Sequence, residues 1–193
     1  MFSGPPGSTP LQPDDIDGLI PDLQTRAELN EFEQSNIAQA YLWASTSRTV
    51  KTSLLSAATI KEIHRKMFDR TWTWAGEFRK RETNLGINWI QIPIQIKNLC
   101  DDTKFKLNEE IPDFDYLGAW FHHRLVSIHP FPNGNGRHAR LTTDLLLKTH
   151  GISVFSWGRA NLGEKSETRE IYIDALRKAD GGDLEALKNF VRS

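Results

Sequence analysis

The sequence predicts a mainly α-helical fold that carries one small β-hairpin. Most of the chain falls into segments in which apolar side chains recur at helical spacing. The segment 86–96 differs, because its apolar and β-branched residues alternate as they do in a strand. Gly151 and the pair Gly181-Gly182 stand at the ends of helical segments, where glycine commonly stops a helix.

The chain is predicted to form one domain over residues 25–193, preceded by an extended arm over residues 1–24. The arm is rich in Pro, Gly, Ser and Asp and has little apolar surface to bury. With 193 residues and 38% hydrophobic content, the chain can bury a core, and nothing requires a second domain. One cysteine, Cys100, excludes an intrachain disulfide and is predicted to be a core residue. Without a long apolar run or a signal-peptide pattern, we expect a cytoplasmic protein.

Seven helices are predicted in this domain from the spacing of their apolar residues. Their bounds are 26–45, 57–69, 97–108, 115–127, 136–149, 167–179 and 183–191. The helix over 136–149 opens at a glycine turn and carries Leu141, Leu145, Leu146 and Leu147. Most of the six tryptophans are assigned to the core or to the hairpin.

The segment 86–96 is predicted to form the hairpin. Its isoleucines alternate along the chain, and the pattern is interrupted once, at Pro93. On its residues alone, this segment would be an ordinary edge hairpin that packs Trp89 and Ile92.

Residues 129–140 read His-Pro-Phe-Pro-Asn-Gly-Asn-Gly-Arg-His-Ala-Arg and predict a nucleotide phosphate site. Gly134, Asn135 and Gly136 let successive backbone N–H groups converge on one point. They open the predicted helix over 136–149, and a helix N-terminus attracts phosphate through its unpaired N–H groups and its dipole.

Three side chains flank this glycine turn. Arg137 and Arg140 are three residues apart and share a helix face, and guanidinium groups match phosphate oxygens. His129 precedes the turn, and an imidazole with an ordinary pKa near ~6.5 can accept a proton from an attacking hydroxyl. We therefore predict His129 as a general base beside a bound phosphate.

The charge pattern favours a small phosphorylated ligand. No acidic residue occurs between Tyr116 and Thr143, although the whole chain has 24 basic and 25 acidic residues and a formal charge of -1. A local basic pocket in a nearly neutral protein disfavours nucleic acid, which needs a broad basic face.

His122 and His123 precede the motif and with His129 raise the question of a zinc site. Adjacent helical residues point to different faces, and no acidic ligand accompanies them. Packing or support for the loop is the preferred interpretation.

At these residues the chain resembles the Fic family, whose signature is His-Pro-Phe-x-Asp/Glu-Gly-Asn-Gly-Arg-x-x-Arg. Eight specified positions match and one, Asn133, departs. The segment 74–79 resembles the family's Trp-Ala-Gly-x-x-Arg segment, and 172–190 resembles its C-terminal helices. The likeness covers about residues 25 to 191. The Gly-Leu-Ile-Pro and Glu-Leu-Asn-Glu-x-Glu-Gln-x-Asn-Ile stretches are similar to a bacterial subgroup called mobile mystery protein B.

The resemblance implies a Fic-type helical bundle that moves AMP from ATP to a hydroxyl side chain of a target protein. His129 would be the base, Arg137 would brace the leaving pyrophosphate, and Arg140 would meet the terminal phosphate. Gly134, Asn135 and Gly136 would hold the phosphates, and Phe131 would be a buried anchor. The alternative is a catalytically weak nucleotide-binding module that regulates a partner.

The resemblance also implies that the hairpin is a flap beside the active-site loop and docks the target by strand addition. The residues assigned to this docking flap are Ile87, Asn88, Trp89, Ile90, Gln91 and Ile92.

Asn133 stands where the family has the carboxylate that holds Mg²⁺ with ATP. An amide offers one neutral oxygen, so we expect weaker metal binding. Three outcomes are predicted in order of preference: weakened or altered nucleotidyl transfer, transfer from another phosphorylated donor, and loss of catalysis.

Intramolecular inhibition is not supported by the sequence. Thr73 to Glu77 and Ser166 to Glu170 have the spacing of the family's inhibitory Ser/Thr-x-x-x-Glu-Gly/Asn segment but lack its last residue. Glu28, Glu31 and Glu33 on the first helix are candidate degenerate substitutes for that inhibitory glutamate, but the preferred interpretation is that they are dipole partners or solvated surface. A separate inhibitory or companion protein is the partner that the resemblance implies.

Overall fold

The computed structural model describes residues 10–108, 113–159, 162 and 166–193. Helices hold most of these residues, which confirms the mainly helical class. Their bounds are Pro13–Ile16 (α1), Arg26–Thr46 (α2), Arg48–Ser53 (α3), Ala57–Phe68 (α4), Ile92–Leu107 (α5), Phe114–Ile128 (α6), Asn135–Thr149 (α7), Glu167–Asp180 (α8) and Glu185–Arg192 (α9). None of these described helices is both long and apolar enough to cross a bilayer.

Local capping explains why the predicted helices begin and end where they do. Thr25 and Glu28 form a reciprocal capping box at the start of α2, and Ser166 accepts from the third residue of α8. Gly151 and Gly182 follow α7 and α8 with φ of 73° and 94°, a left-handed conformation that suits glycine. The prediction of these stop signals is confirmed, whereas the short helices α1 and α3 were not predicted.

The predicted hairpin is wrong. The chain forms a 3-10 turn at Trp89–Gln91 and then enters α5 at Ile92, with Pro93 in its first turn. A proline is tolerated there because the first N–H groups of a helix have no intrahelical partner. The buried residues of α5 recur at helical rather than strand spacing: Ile92, Ile96, Leu99, Cys100 and Thr103. The alternating isoleucines from Ile92 onward therefore belong to the start of a helix and not to a strand.

Two clusters of buried residues meet at α7. The larger one gathers side chains from α2 to α7 and from the loop before α7, among them the fully buried Phe68, Phe121 and Phe131. The smaller one joins α8 and α9 to α6 and α7 and includes Leu147 and Leu187. Because both clusters hold α7, the position of its N-terminus is fixed from two sides.

The described part of the predicted arm, residues 10–24, contains α1. Leu19 forms an isolated antiparallel bridge with Trp72, and the carbonyl of Asp15 accepts a hydrogen bond from the indole of Trp74 at 3.1 Å. The Asp15 carboxylate also pairs with Arg81. Residues 1–9 lie outside the described part, and the division of the chain at residue 24 stays a prediction.

Candidate active site

A cleft of about 1190 Å³ opens between α2, α6, α7 and α8. Seven motif residues line it: His129, Asn133, Gly134, Asn135, Gly136, Arg137 and Arg140. The structure therefore brings the predicted base, the glycine turn and both arginines to one site.

His129 lies at the C-terminus of α6 in a left-handed conformation, with φ 52° and ψ 60°. It is 7% exposed, and burial lowers the pKa of its imidazole to about 4, with the charge of Arg79 adding to the effect. The carbonyl of Val126 opposes this shift. His129 is consequently neutral at pH 7, the form that can accept a proton.

The loop after His129 is closed by Asn135. Its side chain accepts from Phe131 N at 2.9 Å and donates to Phe131 O at 2.8 Å. Gly134 then takes φ 77° as the N-cap of α7. The Asn135 amide is thus committed to the loop, so its backbone N–H, rather than its side chain, is the group available to a phosphate.

His64 also supports this loop, although no motif in the sequence predicted that role. Its Nδ1 accepts from Gly76 N at 2.9 Å, so its Nε2 carries the proton and donates to Asn133 O at 3.1 Å. Its ring stacks on Phe131 with centroids 3.7 Å apart. The buried Phe131 anchor is therefore held by an imidazole that also fixes the backbone at Asn133.

Arg137 is held by an acidic residue of α2. Its Nη1 donates to Glu33 Oε2 at 2.6 Å, and Glu33 Oε1 accepts from the indole of Trp72 at 2.7 Å. Glu33 is only 2% exposed. The interpretation of Glu33 as a dipole partner or solvated residue is wrong, whereas Glu28 does lie in the first turn of α2, where it completes the capping box with Thr25. The sequence feature that could have predicted a buried Glu33 is its position on the core-facing side of α2.

Arg140 reaches the cleft from the next turn of α7. Its guanidinium carbon lies over the ring of Tyr172, 6.0 Å from the ring centroid, and the Tyr172 hydroxyl bonds His122 Nε2 at 2.8 Å. The carboxylate of Asp144 faces the same guanidinium, but its Oδ1 accepts from the Trp157 indole at 3.1 Å. Burial lowers the pKa of Arg140, and an anion in the cleft would restore favourable charge pairing.

Asn133 lines the cleft beside Gly134. Its Oδ1 accepts from Gly134 N at 2.7 Å, so one lone pair of the single neutral oxygen that it offers is used within the loop. Among the described residues, no cluster of three His, Cys, Asp or Glu side chains could hold a metal ion.

The predicted docking residues divide into two groups. Ile87 lines the cleft with its neighbours Leu85 and Gly86, whereas residues 88–92 do not. Trp89 and Ile90 are exposed, and Ile92 is fully buried in the core. Only the start of the predicted flap therefore lies beside His129.

The remaining candidates are structural. His122 bonds Tyr172, and His123 Nε2 lies 2.8 Å from Asp180 Oδ1, so neither joins His129. Burial raises the pKa of the Cys100 thiol to about 11, which confirms a core residue rather than a nucleophile.

Comparison with known proteins gives a consistent result. A family model described as the Fic/DOC family matches residues 54–147, a span that contains the whole motif. A probable protein adenylyltransferase of Sinorhizobium fredii is 27% identical over 186 residues, covering 90% of this chain and 86% of that protein. A protein adenylyltransferase named Fic from Aedes aegypti is 27% identical over 168 residues, or 85% of this chain. The match covers 32% of that insect protein.

Solved structures share the fold. The BepC protein of Bartonella tribocorum with bound AMPPNP superposes with a TM-score of 0.69 at 19% identity. The match covers 88% of this chain and 87% of that one, and at this identity the likeness concerns the fold alone.

Proposed function

The chain belongs to the Fic/DOC family, and we propose that it transfers AMP from ATP to a hydroxyl side chain of a target protein. The observation that carries the proposal is one cleft in which a neutral, buried His129 lies beside the N-terminus of α7 and two arginines. This arrangement supplies a base and an anion site at once. The relatives named as adenylyltransferases support AMP as the transferred group.

In this reaction the target hydroxyl oxygen attacks the α-phosphorus of ATP, and the bond from that phosphorus to the bridging oxygen breaks. The hydroxyl proton passes to the imidazole of His129, and pyrophosphate leaves. A placed base contributes about 10²–10⁴-fold to such a step. The backbone N–H groups of Asn135 and Gly136 would hold the phosphates in line for attack. Gly134 would contribute its left-handed turn, because its own N–H is bonded to Asn133 Oδ1.

The two arginines would divide the remaining charge. Arg137 can bind the leaving pyrophosphate while Glu33 keeps hold of Nη1, because a guanidinium has five N–H donors. Arg140 would bind the terminal phosphate, since the Asp144 carboxylate that faces it is hydrogen-bonded to the Trp157 indole and forms no ion pair with it.

Magnesium would enter bound to the nucleotide phosphates rather than to the protein. Asn133 provides no carboxylate, and its amide oxygen accepts from Gly134 N. We assign no step to the metal.

The replacement of the family's carboxylate by Asn133 supports the alternatives. Weak metal binding at Asn133 would slow transfer, favour another phosphorylated donor, or leave a nucleotide-binding module that regulates a partner. The mobile mystery protein B subgroup, a companion or inhibitory protein, and a cytoplasmic location remain proposals from the sequence.

The test uses ATP labelled at the α-phosphate, incubated with the protein and a cell lysate. Wild-type protein is expected to label lysate proteins, His129→Ala to lose labelling while still binding ATP, and Arg140→Ala to lose both. The exposed His150 and Arg124 provide the matched controls His150→Ala and Arg124→Ala, which should label normally. Undiminished labelling by His129→Ala would remove the general-base assignment. Nucleotide binding without labelling would favour the regulatory module.

A further inference from the structure

One buried guanidinium connects the motif loop to the segment beside it. The side chain of Arg79 is buried and donates only to backbone carbonyls in its hydrogen bonds. Its Nε bonds His129 O at 2.7 Å, its Nη1 bonds Arg81 O at 2.8 Å, and its Nη2 bonds Ile87 O at 2.5 Å and Ile128 O at 3.5 Å. Three separate stretches of backbone therefore meet at one side chain.

A guanidinium is suited to this position. The carbonyls of Ile128 and His129 stand at the C-terminus of α6, where the helix dipole is negative and the last carbonyls lack intrahelical partners. The nearby carboxylate of Glu82 is exposed and 3.9 Å away, so it contributes little. Lysine has one nitrogen in place of the planar fork and cannot reach all of these carbonyls together.

Gly86 brings the backbone of residues 85–87 into contact with His129 and Arg79. It has φ 99°, and a Cβ built on it would lie 2.5 Å from His129 Cβ and 2.8 Å from Arg79 Nη2. Glycine is therefore needed for the backbone at 85–87 to touch His129. The cleft wall formed by residues 85–87 and the predicted base are in direct contact.

His129 also needs external support for its backbone. A left-handed conformation costs a non-glycine residue roughly 1–2 kcal/mol, and such a conformation persists when surrounding contacts fix it. The hydrogen bond from Arg79 Nε to His129 O is one such contact, and the bond from Arg79 N to Pro130 O at 2.9 Å is another.

We propose that Arg79 is a positioning residue, which fixes the imidazole of His129 relative to residues 85–87. An acceptor segment lying along residues 85–87 then presents its hydroxyl to that imidazole in a constant register. This inference rests on the proposed transfer reaction, because a register between acceptor and base matters only if an acceptor is modified. A misplacement of about 1 Å can cost roughly 10²-fold in rate.

The experiment separates positioning from binding and folding. ATP labelled at the α-phosphate and lysate proteins serve as donor and acceptors, and ATP affinity is measured separately by calorimetry. Arg79→Lys is expected to lower the transfer rate at saturating ATP by about 10–100-fold while ATP affinity stays within twofold. Arg81→Lys, whose side chain pairs with Asp15 rather than with the loop, is the matched control and should transfer normally.

Gly86→Ala disturbs the contact of residues 85–87 with His129 and Arg79. It should reproduce the loss of rate with unchanged ATP affinity. Normal transfer by both variants would overturn the positioning role. Parallel losses of transfer and ATP affinity would also overturn it, because they indicate a general structural defect. If the wild-type protein itself transfers nothing, the proposed function fails and this inference fails with it. Normal wild-type transfer together with unaffected variants refutes the inference alone.

Discussion

Two glycines of the motif are predicted to respond in opposite ways to the same substitution. Gly134 and Gly136 both line the cleft, and the resemblance to the Fic family implies that both hold the phosphates. Gly134 has φ 77°, and a Cβ there would lie 2.6 Å from Cζ of the buried Phe68. Gly136 lies within α7, and its Cβ would meet only Nη1 of Arg140, at 3.7 Å.

The expected size of each effect follows from these contacts. Gly134→Ala combines a left-handed alanine, at roughly 1–2 kcal/mol, with overpacking against Phe68, at roughly 1–3 kcal/mol. A total of about 3 kcal/mol would lower Tm by about 6–12 °C in a chain of this size. Gly136→Ala should instead be neutral or more stable by up to about 1 kcal/mol, because alanine favours the helix. Its methyl group, however, would project into the cleft where phosphate oxygens approach the backbone.

Urea unfolding and ATP calorimetry on the two variants separate these effects. Gly134→Ala should lose folding free energy, whereas Gly136→Ala should keep it and bind ATP at least about tenfold more weakly, equivalent to about 1.4 kcal/mol. Wild-type ATP affinity in Gly136→Ala would refute the placement of the phosphates at the N-terminus of α7. Equal stability of the two variants would refute the packing argument at Gly134.

Four further predictions concern single side chains. Tyr172→Phe removes the hydroxyl that lies near Arg140 and bonds His122, and it should weaken ATP binding about 5–10-fold, the value of one hydrogen bond. Unchanged affinity in calorimetry would contradict this role. Glu33→Ala should lower the free energy of unfolding by roughly 2–4 kcal/mol, because its two buried hydrogen bonds are lost; a change below ~0.5 kcal/mol in urea, the usual range at exposed sites, would argue against this. The pKa of His129 is about 4, and its neutral form accepts the proton. We therefore expect kcat/KM for transfer to stay level from pH 8 to about pH 5 and to decrease at lower pH. A decrease centred near ~6.5, the ordinary pKa of histidine, would show that His129 is not buried as described. Asn133→Asp should lower the Mg²⁺ concentration for half-maximal transfer by about tenfold through the added charge, and an unchanged Mg²⁺ requirement would place the metal away from residue 133.

Buried histidines should also make the protein sensitive to acid. Burial lowers the pKa of His122 to about 3 and that of His138 to about 4. The unfolded chain binds these protons near pH 6.5 and the folded chain does not, so stability falls as pH drops from about 6.5 toward 4. Urea unfolding at pH 7 and 5 should show a loss of about 1–2 kcal/mol for each such group, and equal stability at both pH values would contradict it.

Local signals in the sequence were sufficient to predict where most of the helices begin and end. The ends of α2, α4, α7 and α8 were predicted within two residues, because caps and glycine stops act on neighbouring residues. The segment 86–96 was misread for the opposite reason. The alternation is a local pattern that favours a strand. The burial of Ile92, Ile96 and Leu99 in the core instead stabilises a helix.

The sequence by itself determined the chemistry of the motif: a histidine, a glycine turn that begins a helix, and two arginines on one face. These features are specified by residue type and spacing over twelve residues, and the matching family model spans all twelve. Only the tertiary structure decided which groups hold them in place. Glu33 meets Arg137 across 104 positions, His64 meets Asn133 across 69, and Arg79 meets His129 across 50. Such contacts depend on how distant helices pack, which no local pattern in the chain records.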